Sequence, residues 1–277
     1  MWYWHNGEWL SADEVRVPIH DHGLLYGMGL FETFRTFDGV PFLYDWHWER
    51  LTKSLDALWI DMPYTKEDIR HAVDGAYERN GRTDLYIRLN VSAGEAPLGL
   101  YDGRYDRPNV TLIVKPLARE LIPQGRQLEA IPFVRSRPEA AFRLKSHHYM
   151  NNLLAKRQVR DRQAEGLFAN ELGHVVEGLV SNVFWVEANQ LYTTPLDSGA
   201  LAGVTRRWMM ETFSVQERHI TFLELRAASE ILLTNSIQQI APVLSYEGKA
   251  FPGTNGSVFQ HCFTTLCETI GQEEQLG

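Results

Sequence analysis

Residues 85–91 alternate apolar and polar side chains, which is typical of a β-strand, and the mixed apolar and polar residues 31–37 are interpreted as a second, half-buried strand. Residues 31–37 place Arg35 on the same face as two phenylalanines, and residues 85–91 place Tyr86 and Arg88 opposite four aliphatic side chains. The aliphatic face predicts a core on one side of a sheet. The other face either lines a cleft, where Tyr86 and Arg88 meet a ligand, or lies against water.

Turn and helix signals surround these strands. Asn6-Gly7 and Asp38-Gly39 are typical of two-residue hairpin turns. Apolar residues at three- and four-residue steps predict a helix that begins at an Asp45 cap, and a second helix over residues 66–80. Arg50 lies at the edge of the first apolar stripe. It is either a surface guanidinium or a phosphate clamp, which a planar fork of donors suits.

The second half of the chain predicts further strands and a last helix over about residues 257–270. Residues 175–186 indicate strand, turn and strand, and residues 231–236 form an apolar strand that ends in small polar residues. Pro116 and Pro123 bound a short segment that is typical of a domain boundary. We therefore expect a small N-terminal α/β domain over residues 1–116, a linker over residues 117–124, and a larger C-terminal α/β domain over residues 125–277.

The composition excludes several classes of protein. The chain has 277 residues, 44% of them hydrophobic, and a net charge of −8, which is an ordinary globular composition and argues against a nucleic-acid surface. No apolar run reaches about 18 residues, so no transmembrane helix is expected, and the N-terminus lacks the features of a signal peptide. The two cysteines, Cys262 and Cys267, do not form a disulfide framework. A reducing, cytoplasmic setting is therefore expected.

One lysine has surroundings that suit chemistry. Lys145 has apolar neighbours and opens a segment that becomes helical by residues 153–155. Partial desolvation of an amine disfavours its ammonium form, and a neutral amine forms Schiff bases with carbonyl compounds. A lysine taken alone is usually a solvated surface charge, so other residues must support this interpretation.

Three other segments indicate an ionic ligand. Glu177 lies in an apolar run, where an acid needs a partner such as a protonated ring nitrogen. Residues 199–206 lead into a helix that begins near Thr205, and free backbone N–H groups at a helix start bind anions. The hydroxyls and amides of residues 234–236 are suited to bind the same anion, such as a phosphate group.

The loop over residues 18–30 contains two histidines and three glycines. His20 and His22 have no third ligand at a recognisable spacing, so no metal site is expected. The glycines do not form a G-x-G-x-x-G motif after a strand, and they predict tight turns.

In this order and spacing the motifs resemble the class IV pyridoxal-phosphate enzymes. That family includes branched-chain aminotransferases, D-amino-acid aminotransferases and aminodeoxychorismate lyases. The resemblance extends from residue 6 to about residue 243. It rests on Asp21-His22-Gly23 to Phe31-Glu32, His47-Trp48-Glu49-Arg50-Leu51, Lys145 with Asn152-Leu153-Leu154-Ala155-Lys156, Glu177-Gly178 with Ser181-Asn182-Val183-Phe184, and Gly203-Val204-Thr205-Arg206.

The resemblance implies a fold and a cofactor. The fold is the two-domain α/β (α+β) fold of type IV pyridoxal-phosphate enzymes, as in the D-amino-acid and branched-chain aminotransferases, with the cofactor between the domains. The family is usually homodimeric. Lys145 is implied to hold pyridoxal 5'-phosphate as a Schiff base and to move protons at the substrate carbon. Glu177 is implied to keep the pyridine nitrogen protonated, which makes the ring an electron sink.

The resemblance also implies the remaining contacts. The cofactor is expected to meet Arg50, Tyr149, Leu201, Gly203, Val204, Thr205, Asn235 and Ser236. Among these, Arg50, Val204, Thr205 and Ser236 are implied for the phosphate, Leu201 for the ring face and Tyr149 for the ring hydroxyl. The substrate is expected to meet Phe31, Thr33, Arg35, Tyr86 and Arg88. His148 replaces an asparagine that is often found three residues after the lysine.

The resemblance favours one reaction. D-amino-acid aminotransferases similar to this chain carry an Arg-x-His carboxylate trap where Leu98 and Leu100 stand here, and leucine cannot bind a carboxylate. The segment around Phe31–Arg35 and the loop after Arg88 look more like the bacillus-type aminodeoxychorismate lyases. The expected reaction is therefore elimination of pyruvate from 4-amino-4-deoxychorismate to give 4-aminobenzoate, a step of folate biosynthesis. The alternative is transamination of branched-chain or D-amino acids.

Two alternatives come from other classes. The chain could be a non-catalytic cofactor-binding protein, or a metal-dependent hydrolase that uses His20, His22, His147 and His148. These histidines lack ligand spacing, and Lys145 would have no role in such a hydrolase.

Overall fold

Residues 31–37 and 85–91 lie in neighbouring strands of one antiparallel sheet, paired from Gly29–Ser92 to Arg35–Tyr86. The computed structural model describes residues 1–161 and 163–276. The chain divides into two compact units. Unit 1 comprises residues 1–120, residues 145–148 and the residues from 270 on, and unit 2 comprises residues 121–144 and 149–269.

Unit 1 is a six-stranded sheet with helices. Its elements are β1 (Trp2–His5), β2 (Glu8–Ser11), α1 (His22–Tyr26), β3 (Gly29–Phe37), β4 (Val40–Pro41), α2 (Tyr44–Ala57), α3 (Lys66–Arg79), β5 (Leu85–Ser92) and β6 (Asn109–Pro116). The strand order is β2-β1-β6-β5-β3-β4, and all neighbours are antiparallel. Both expected hairpin turns are confirmed, with Asn6 and Asp38 at positive φ before Gly7 and Gly39.

The burial of β5 follows its sequence pattern, whereas that of β3 does not. The aliphatic residues of β5 are fully buried and the residues between them are half-buried. In β3 every residue except Thr33 is buried, so the expected half-buried strand is wrong there. The physical reason is that α2 packs against β3 and covers its second face.

The helices of unit 1 start with different caps. A capping box of Thr65 and Asp68 begins α3. The prediction of an Asp45 cap for α2 is wrong, because the cap residue is Leu43, at φ 53 and without a side-chain hydrogen bond. Asp45 lies in the first turn of α2 instead, where it pairs with Lys66 at 2.7 Å.

Unit 2 is built on a nine-stranded sheet. Its elements are β7 (Arg126–Val134), α4 (Met150–Lys156), β8 (Glu165–Ala169), β9 (Val175–Gly178), β10 (Asn182–Glu187), β11 (Gln190–Thr193), α5 (Val204–Thr212), β12 (Val215–Glu217), α6 (Phe222–Leu225), β13 (Glu230–Asn235), β14 (Gln239–Tyr246), β15 (Lys249–Ala250) and α7 (Ser257–Leu276). The strand order is β12-β11-β10-β13-β14-β7-β8-β9, with β15 on β14. The pairs β11–β12, β14–β7 and β7–β8 are parallel and the rest antiparallel.

The last helix begins as expected and runs further than expected. The carboxylate of buried Glu230 accepts hydrogen bonds from the N–H groups of Val258 and Phe259, both at 3.0 Å, and so satisfies the start of α7. The helix continues past Ile270 to Leu276, and its residues from Ile270 on belong to unit 1. None of the helices in the described ranges is both long and apolar enough to cross a membrane.

The compact units are discontinuous in sequence. Residues 145–148 pair with β3 and therefore count with unit 1, although residues on either side count with unit 2. The division at residues 117–124 stays a prediction of the domain boundary.

Candidate active site

In unit 1, Lys145 lies on a short edge segment of the sheet. The N–H of Phe31 donates to the Lys145 carbonyl at 2.9 Å, and the N–H of His147 donates to the Gly29 carbonyl at 2.9 Å. These two bonds close an antiparallel bridge between Leu30 and Ser146. The backbone of Lys145 is thus fixed to β3, and its Nζ lies 4.6 Å from the centre of the Phe31 ring.

The expected phosphate ligand of unit 1, Arg50, is held by a buried acid. Its Nε donates to Glu32 Oε1 at 2.8 Å and its Nη2 to Glu32 Oε2 at 2.6 Å. His47, one turn earlier on α2, donates from Nδ1 to Glu32 Oε2 at 2.7 Å. A fork of two parallel bonds fixes the plane of the guanidinium as well as its position. The Glu32 side chain is 2% exposed and that of Arg50 is 14% exposed.

The charge of Glu32 is maintained by its partners. Burial alone would raise the pKa of this carboxyl, but the positive charge of Arg50 and the hydrogen bonds from His47 and Arg50 lower the pKa to about 2. Burial also lowers the pKa of His47, so its ring is neutral and donates an ordinary hydrogen bond. The group is therefore an ionised glutamate paired with one cation.

The strand register brings together most of the expected substrate residues. In the pairing of β3 with β5, Phe31 faces Asn90, Thr33 faces Arg88 and Arg35 faces Tyr86, so all of these side chains share one face of the sheet. The Arg88 guanidinium lies 3.6 Å from the centre of the Phe31 ring and donates to Asn90 Oδ1 at 3.3 and 3.4 Å. Phe31 is buried, whereas Thr33, Tyr86 and Arg88 are half-buried. This face of unit 1 offers a cation and a hydroxyl beside Lys145.

Arg35 is an exception within this set. It is 3% exposed, and its Nη2 donates to the carbonyls of Ala118 at 2.6 Å and Arg119 at 3.0 Å. Its guanidinium also lies over the Phe37 ring at 4.2 Å. These contacts tie the chain after β6 to the sheet, and the substrate contact of Arg35 stays a prediction.

In unit 2, Glu177 is a buried acid at the end of β9. Its Oε1 accepts from Arg135 Nε at 2.8 Å, and its Oε2 accepts from the Leu201 N–H at 2.9 Å. Arg135 in turn donates from Nη1 to the Oδ1 atoms of Asn151 at 3.0 Å and Asn152 at 2.9 Å. The sequence reasoning missed Arg135. The rule that a buried acid needs a cationic partner is the signal that could have found it.

The start of α5, which is expected to bind the phosphate, has no side-chain cap. Its cap residue, Gly203, makes no side-chain cap, so the first N–H groups of the helix at Val204 and Thr205 receive no such bond. A Cβ on Gly203 would lie 2.0 Å from Asn182 Oδ1, which explains the glycine. Asn182 Nδ2 donates to the Leu201 carbonyl at 2.9 Å and fixes the approach to the helix.

Gln239, a second residue that the sequence reasoning missed, joins two of the expected phosphate segments. Its side-chain oxygen accepts from Thr205 Oγ1 at 3.3 Å, and its Nε2 donates to the Ser236 carbonyl at 2.9 Å. Thr205 and Ser236 are thus neighbours in unit 2. Asn235 has a local role, because its Oδ1 accepts from the N–H groups of Ile237 and Gln238, both at 2.9 Å.

Two further expected cofactor residues lie in unit 2. Tyr149 directly precedes α4 and is half-buried. Leu201 is half-buried, and its backbone contacts Glu177 and Asn182 through its N–H and carbonyl.

Three of the four histidines considered for a metal have separate hydrogen-bond partners. His22 is buried, with Nδ1 at 2.9 Å from the Tyr105 hydroxyl, and His147 and His148 bond to Asn90 and to the Tyr26 carbonyl. In residues 1–161 and 163–276 no group of three histidine, cysteine or acidic side chains could hold a metal ion. The geometry therefore gives no support to a metal-dependent hydrolase.

The donor set fits pyridoxal 5'-phosphate. Unit 1 supplies an amine for an aldehyde and a fixed guanidinium for a phosphate. Unit 2 supplies a buried carboxylate for a ring nitrogen, and a helix start beside hydroxyl groups for the phosphate.

The chain is similar to known proteins over nearly its whole length. It is 38% identical over 259 residues to the aminodeoxychorismate lyase of Bacillus subtilis, covering 91% of this chain and 88% of that protein. It is 34% identical over 252 residues to a putative branched-chain-amino-acid aminotransferase of Methanocaldococcus jannaschii, covering 88% and 87%.

Solved structures agree with this. The branched-chain aminotransferase of Thermoproteus uzoniensis superposes with a TM-score of 0.89 at 28% identity, covering 99% of this chain and 96% of the other. The 4-amino-4-deoxychorismate lyase of Pseudomonas aeruginosa superposes with a TM-score of 0.81 at 26% identity, covering 96% and 98%. These matches confirm the type IV fold.

The family model for amino-transferase class IV matches residues 29–246, a span that includes Lys145, Glu177 and the start of α5. The chain therefore belongs to the amino-transferase class IV family and is a pyridoxal-phosphate-dependent enzyme.

Proposed function

We propose that the enzyme is an aminodeoxychorismate lyase, which eliminates pyruvate from 4-amino-4-deoxychorismate and releases 4-aminobenzoate. The observation that carries this proposal is the 38% identity, over 91% of the chain, to the Bacillus subtilis lyase. The geometry of unit 1 supports it, because a half-buried arginine and a threonine stand on the sheet face that also carries Lys145.

Lys145 is the residue that moves the proton. Its amine would hold the aldehyde of the cofactor, and as a free amine it would take the proton from the substrate carbon that bears the amino group. When bound, pyridoxal phosphate supplies an electron sink for the electron pair that this proton leaves behind. The backbone bonds to β3 and the Phe31 ring beneath Nζ restrict where the amine can reach.

Glu177 holds the proton on the pyridine nitrogen of the cofactor. Arg135 and the Leu201 N–H each donate to one of its carboxylate oxygens, and these hydrogen bonds fix the orientation of the carboxylate. Arg135 is itself fixed by two asparagines, so the carboxylate has little freedom to rotate.

Arg88 and Thr33 orient the substrate. Aminodeoxychorismate carries carboxylates, and a guanidinium binds a carboxylate with two parallel hydrogen bonds. The Phe31 ring and Asn90 hold Arg88 before substrate arrives, which reduces the entropy lost on binding. Tyr86 lies one pair further along the same face.

Four residues are proposed for the cofactor phosphate. Arg50 brings the charge, the N–H groups of Val204 and Thr205 bring the helix start, and Ser236 brings a hydroxyl. Glu32 fixes Arg50, and Gln239 fixes the other two segments to each other.

Transamination is the second candidate, because a branched-chain aminotransferase superposes on this chain with a TM-score of 0.89. Against D-amino-acid specificity, Leu98 and Leu100 are exposed apolar side chains at the positions of the expected carboxylate trap. We also propose a homodimer in the reducing cytoplasm. The exposed apolar side chains of Ile19, Leu24 and Leu98 in unit 1 and the two free cysteines support this.

Product analysis with the purified holoenzyme tests the proposal. Incubation with 4-amino-4-deoxychorismate is expected to give 4-aminobenzoate and pyruvate in equal amounts. Lys145→Ala is expected to lower kcat by about 10³-fold or more, because the proton-transfer group is lost. The matched control is Lys156→Ala, at an exposed lysine of α4, and its kcat is expected to stay within about twofold of wild type.

Two results would contradict this assignment. If no 4-aminobenzoate forms while L-leucine or D-alanine with 2-oxoglutarate gives steady keto-acid production, the enzyme is a transaminase. If Lys145→Ala keeps wild-type turnover, Lys145 is not the reactive amine.

A further inference from the structure

Two histidines follow the reactive lysine closely, and each of them occupies space that a glycine leaves open. A Cβ on Gly29 would lie 2.5 Å from the His147 ring, and a Cβ on Gly27 would lie 2.4 Å from the His148 ring. No real Cβ approaches another atom so closely, so any side chain at either glycine would displace a histidine. Gly27 and Gly29 therefore leave the space into which His148 and His147, in the segment that carries Lys145, pack.

His147 connects that segment to the substrate face of the sheet. Its N–H donates to the Gly29 carbonyl at 2.9 Å, and its ring Nε2 lies 3.0 Å from Asn90 Oδ1. An amide oxygen can only accept, so the imidazole donates this bond. The same Oδ1 accepts from Arg88 at 3.3 and 3.4 Å. One oxygen of β5 is thus shared by His147 and by the arginine proposed for the substrate.

The ring of His147 has the charge state that this position requires. Burial, followed by the nearby positive charge of Arg88, lowers the pKa of His147 to about 4. The ring is therefore neutral near pH 7, and it adds no positive charge beside Arg88 and Lys145. His148 differs, because it is exposed and its Nε2 lies 2.9 Å from the Tyr26 carbonyl.

We propose that His147 is a positioning residue, which fixes the backbone of Lys145 on β3 and at the same time fixes Arg88 through Asn90. This inference rests on the proposed role of Lys145 as the reactive amine. The neutral imidazole of His147 thus aligns Lys145, the proton-transfer group, with Arg88, the substrate-binding group. A misplacement of about 1 Å in such an alignment costs about a hundredfold in rate.

Hydrogen–deuterium exchange of the holoenzyme tests the proposal without any substrate. The Phe31 N–H is bonded to the Lys145 carbonyl, so its exchange reports how often the lysine segment leaves the sheet. In His147→Leu we expect exchange at Phe31 to be at least about tenfold faster than in wild type. In His147→Gln, whose amide can donate to Asn90, we expect a rate near that of wild type. His148→Gln is the matched control and should leave exchange at Phe31 unchanged.

Two further readouts separate positioning from general stability. His147→Leu is expected to lower kcat about tenfold to a hundredfold and to shift the pH midpoint of the absorbance band of the lysine-bound cofactor, whereas His147→Gln restores both. If His147→Leu does not fold, Asn90→Ala removes the same hydrogen bond and is expected to accelerate Phe31 exchange equally. Unchanged exchange at Phe31 in the folded variant would overturn the proposal, whatever substrate the enzyme uses. If exchange at Phe31 is faster in His147→Leu but kcat and the pH midpoint of the cofactor absorbance band are unchanged, His147 does not position Lys145.

Discussion

Each unit of the molecule contains a buried glutamate–arginine pair, and the two pairs are built in opposite ways. In unit 1 the buried acid Glu32 accepts hydrogen bonds from Arg50 and His47 and so fixes Arg50. Arg50 is the less buried partner and is the residue proposed to bind the phosphate. In unit 2 the arginine is the holder, because Arg135 is anchored by asparagines, and Glu177 is the residue proposed to serve the cofactor.

The difference teaches that a salt bridge does not reveal by itself which partner is functional. A buried pair is weak evidence for stability, because the cost of desolvating two charges offsets much of their attraction. The further bonds of the two pairs differ: Glu32 also accepts from His47, Arg135 also donates to two asparagines, and Glu177 also accepts from the Leu201 N–H. These bonds fix Glu32 and Arg135 in place, and the roles of Arg50 and Glu177 towards the cofactor are proposed from their positions in the family motifs.

The largest effect is expected from Glu177→Gln. A neutral amide cannot hold a proton on the pyridine nitrogen, so the electron sink weakens and kcat is expected to fall by about 10²–10³-fold. Steady-state kinetics with saturating cofactor measure this effect. Glu171→Gln, at an exposed acid that pairs with Arg137, is the control and should keep wild-type kcat. A kcat of Glu177→Gln within twofold of wild type would show that unit 2 does not carry the acid of the site.

The sequence predicts the acids better than it predicts their partners. Glu177 could be recognised because it stands in an apolar run, and the backbone pattern gave β5 and the start of α5 correctly. Arg135 lies 42 residues before Glu177 and looks like any charged residue of a loop. Its pairing depends on the parallel contact of β7 with β8, which no local pattern specifies.

The same limit explains why the contacts of other residues were not predicted. Gln239 and His147 act through partners 34 and 57 residues away, and sequence spacing contains no information about such contacts. Arg35 was placed on the correct face of β3, but the chain after β6 covers it, which alternation alone cannot foresee. Local periodicity determines the face of a strand, whereas the tertiary fold determines what covers that face.

An intermediate effect is expected from Glu32→Gln, mainly on stability and cofactor affinity. The change leaves the Arg50 guanidinium without its counter-charge in a mostly buried position, which costs about 3–5 kcal/mol when one partner of a buried pair is removed. We expect a lower free energy of unfolding in urea and a weaker affinity for the cofactor, with kcat at saturating cofactor little changed. Asp45→Asn, which breaks an exposed ion pair at the start of the same helix, should cost less than about 1 kcal/mol.

The pH dependence of this difference follows from the pKa of Glu32. The folded-state pKa is lowered to about 2, below the ordinary value of 4.5, so the unfolded chain binds a proton more readily than the native protein does. Stability from Glu32 is therefore complete above about pH 4.5 and is lost as the pH falls towards 2. The gap between wild type and Glu32→Gln should narrow on acidification below about pH 4.5. A gap that stays constant would mean that the charge of Glu32 is not what stabilises unit 1.

The smallest effect is expected from Glu165→Gln, at an acid of unit 2 to which no arginine of residues 1–161 and 163–276 is bonded. Its Oε1 accepts from the Val180 N–H at 3.0 Å and from Ser181 Oγ at 2.7 Å, across the turn that follows Glu177. Burial raises the pKa of Glu165, and these two hydrogen bonds only partly oppose the rise. A glutamine oxygen can accept the same two bonds, so the free energy of unfolding at pH 7 is expected to change by no more than about 1 kcal/mol.

The sign of the pH dependence separates Glu165 from Glu32. Because its folded-state pKa is raised, the native protein keeps this proton at a pH where the unfolded chain has lost it, so stability from Glu165 falls as the pH rises above about 4.5. Glu165→Gln lacks this loss, so urea denaturation should show its free energy of unfolding rising relative to that of wild type as the pH rises above about 4.5. The free energy of unfolding of Glu32→Gln should instead fall relative to that of wild type as the pH rises from about 2 to about 4.5. If the free energies of unfolding of both variants change in the same direction with pH, the arginine bonded to Glu32 does not explain why Glu32 stabilises the fold and Glu165 does not.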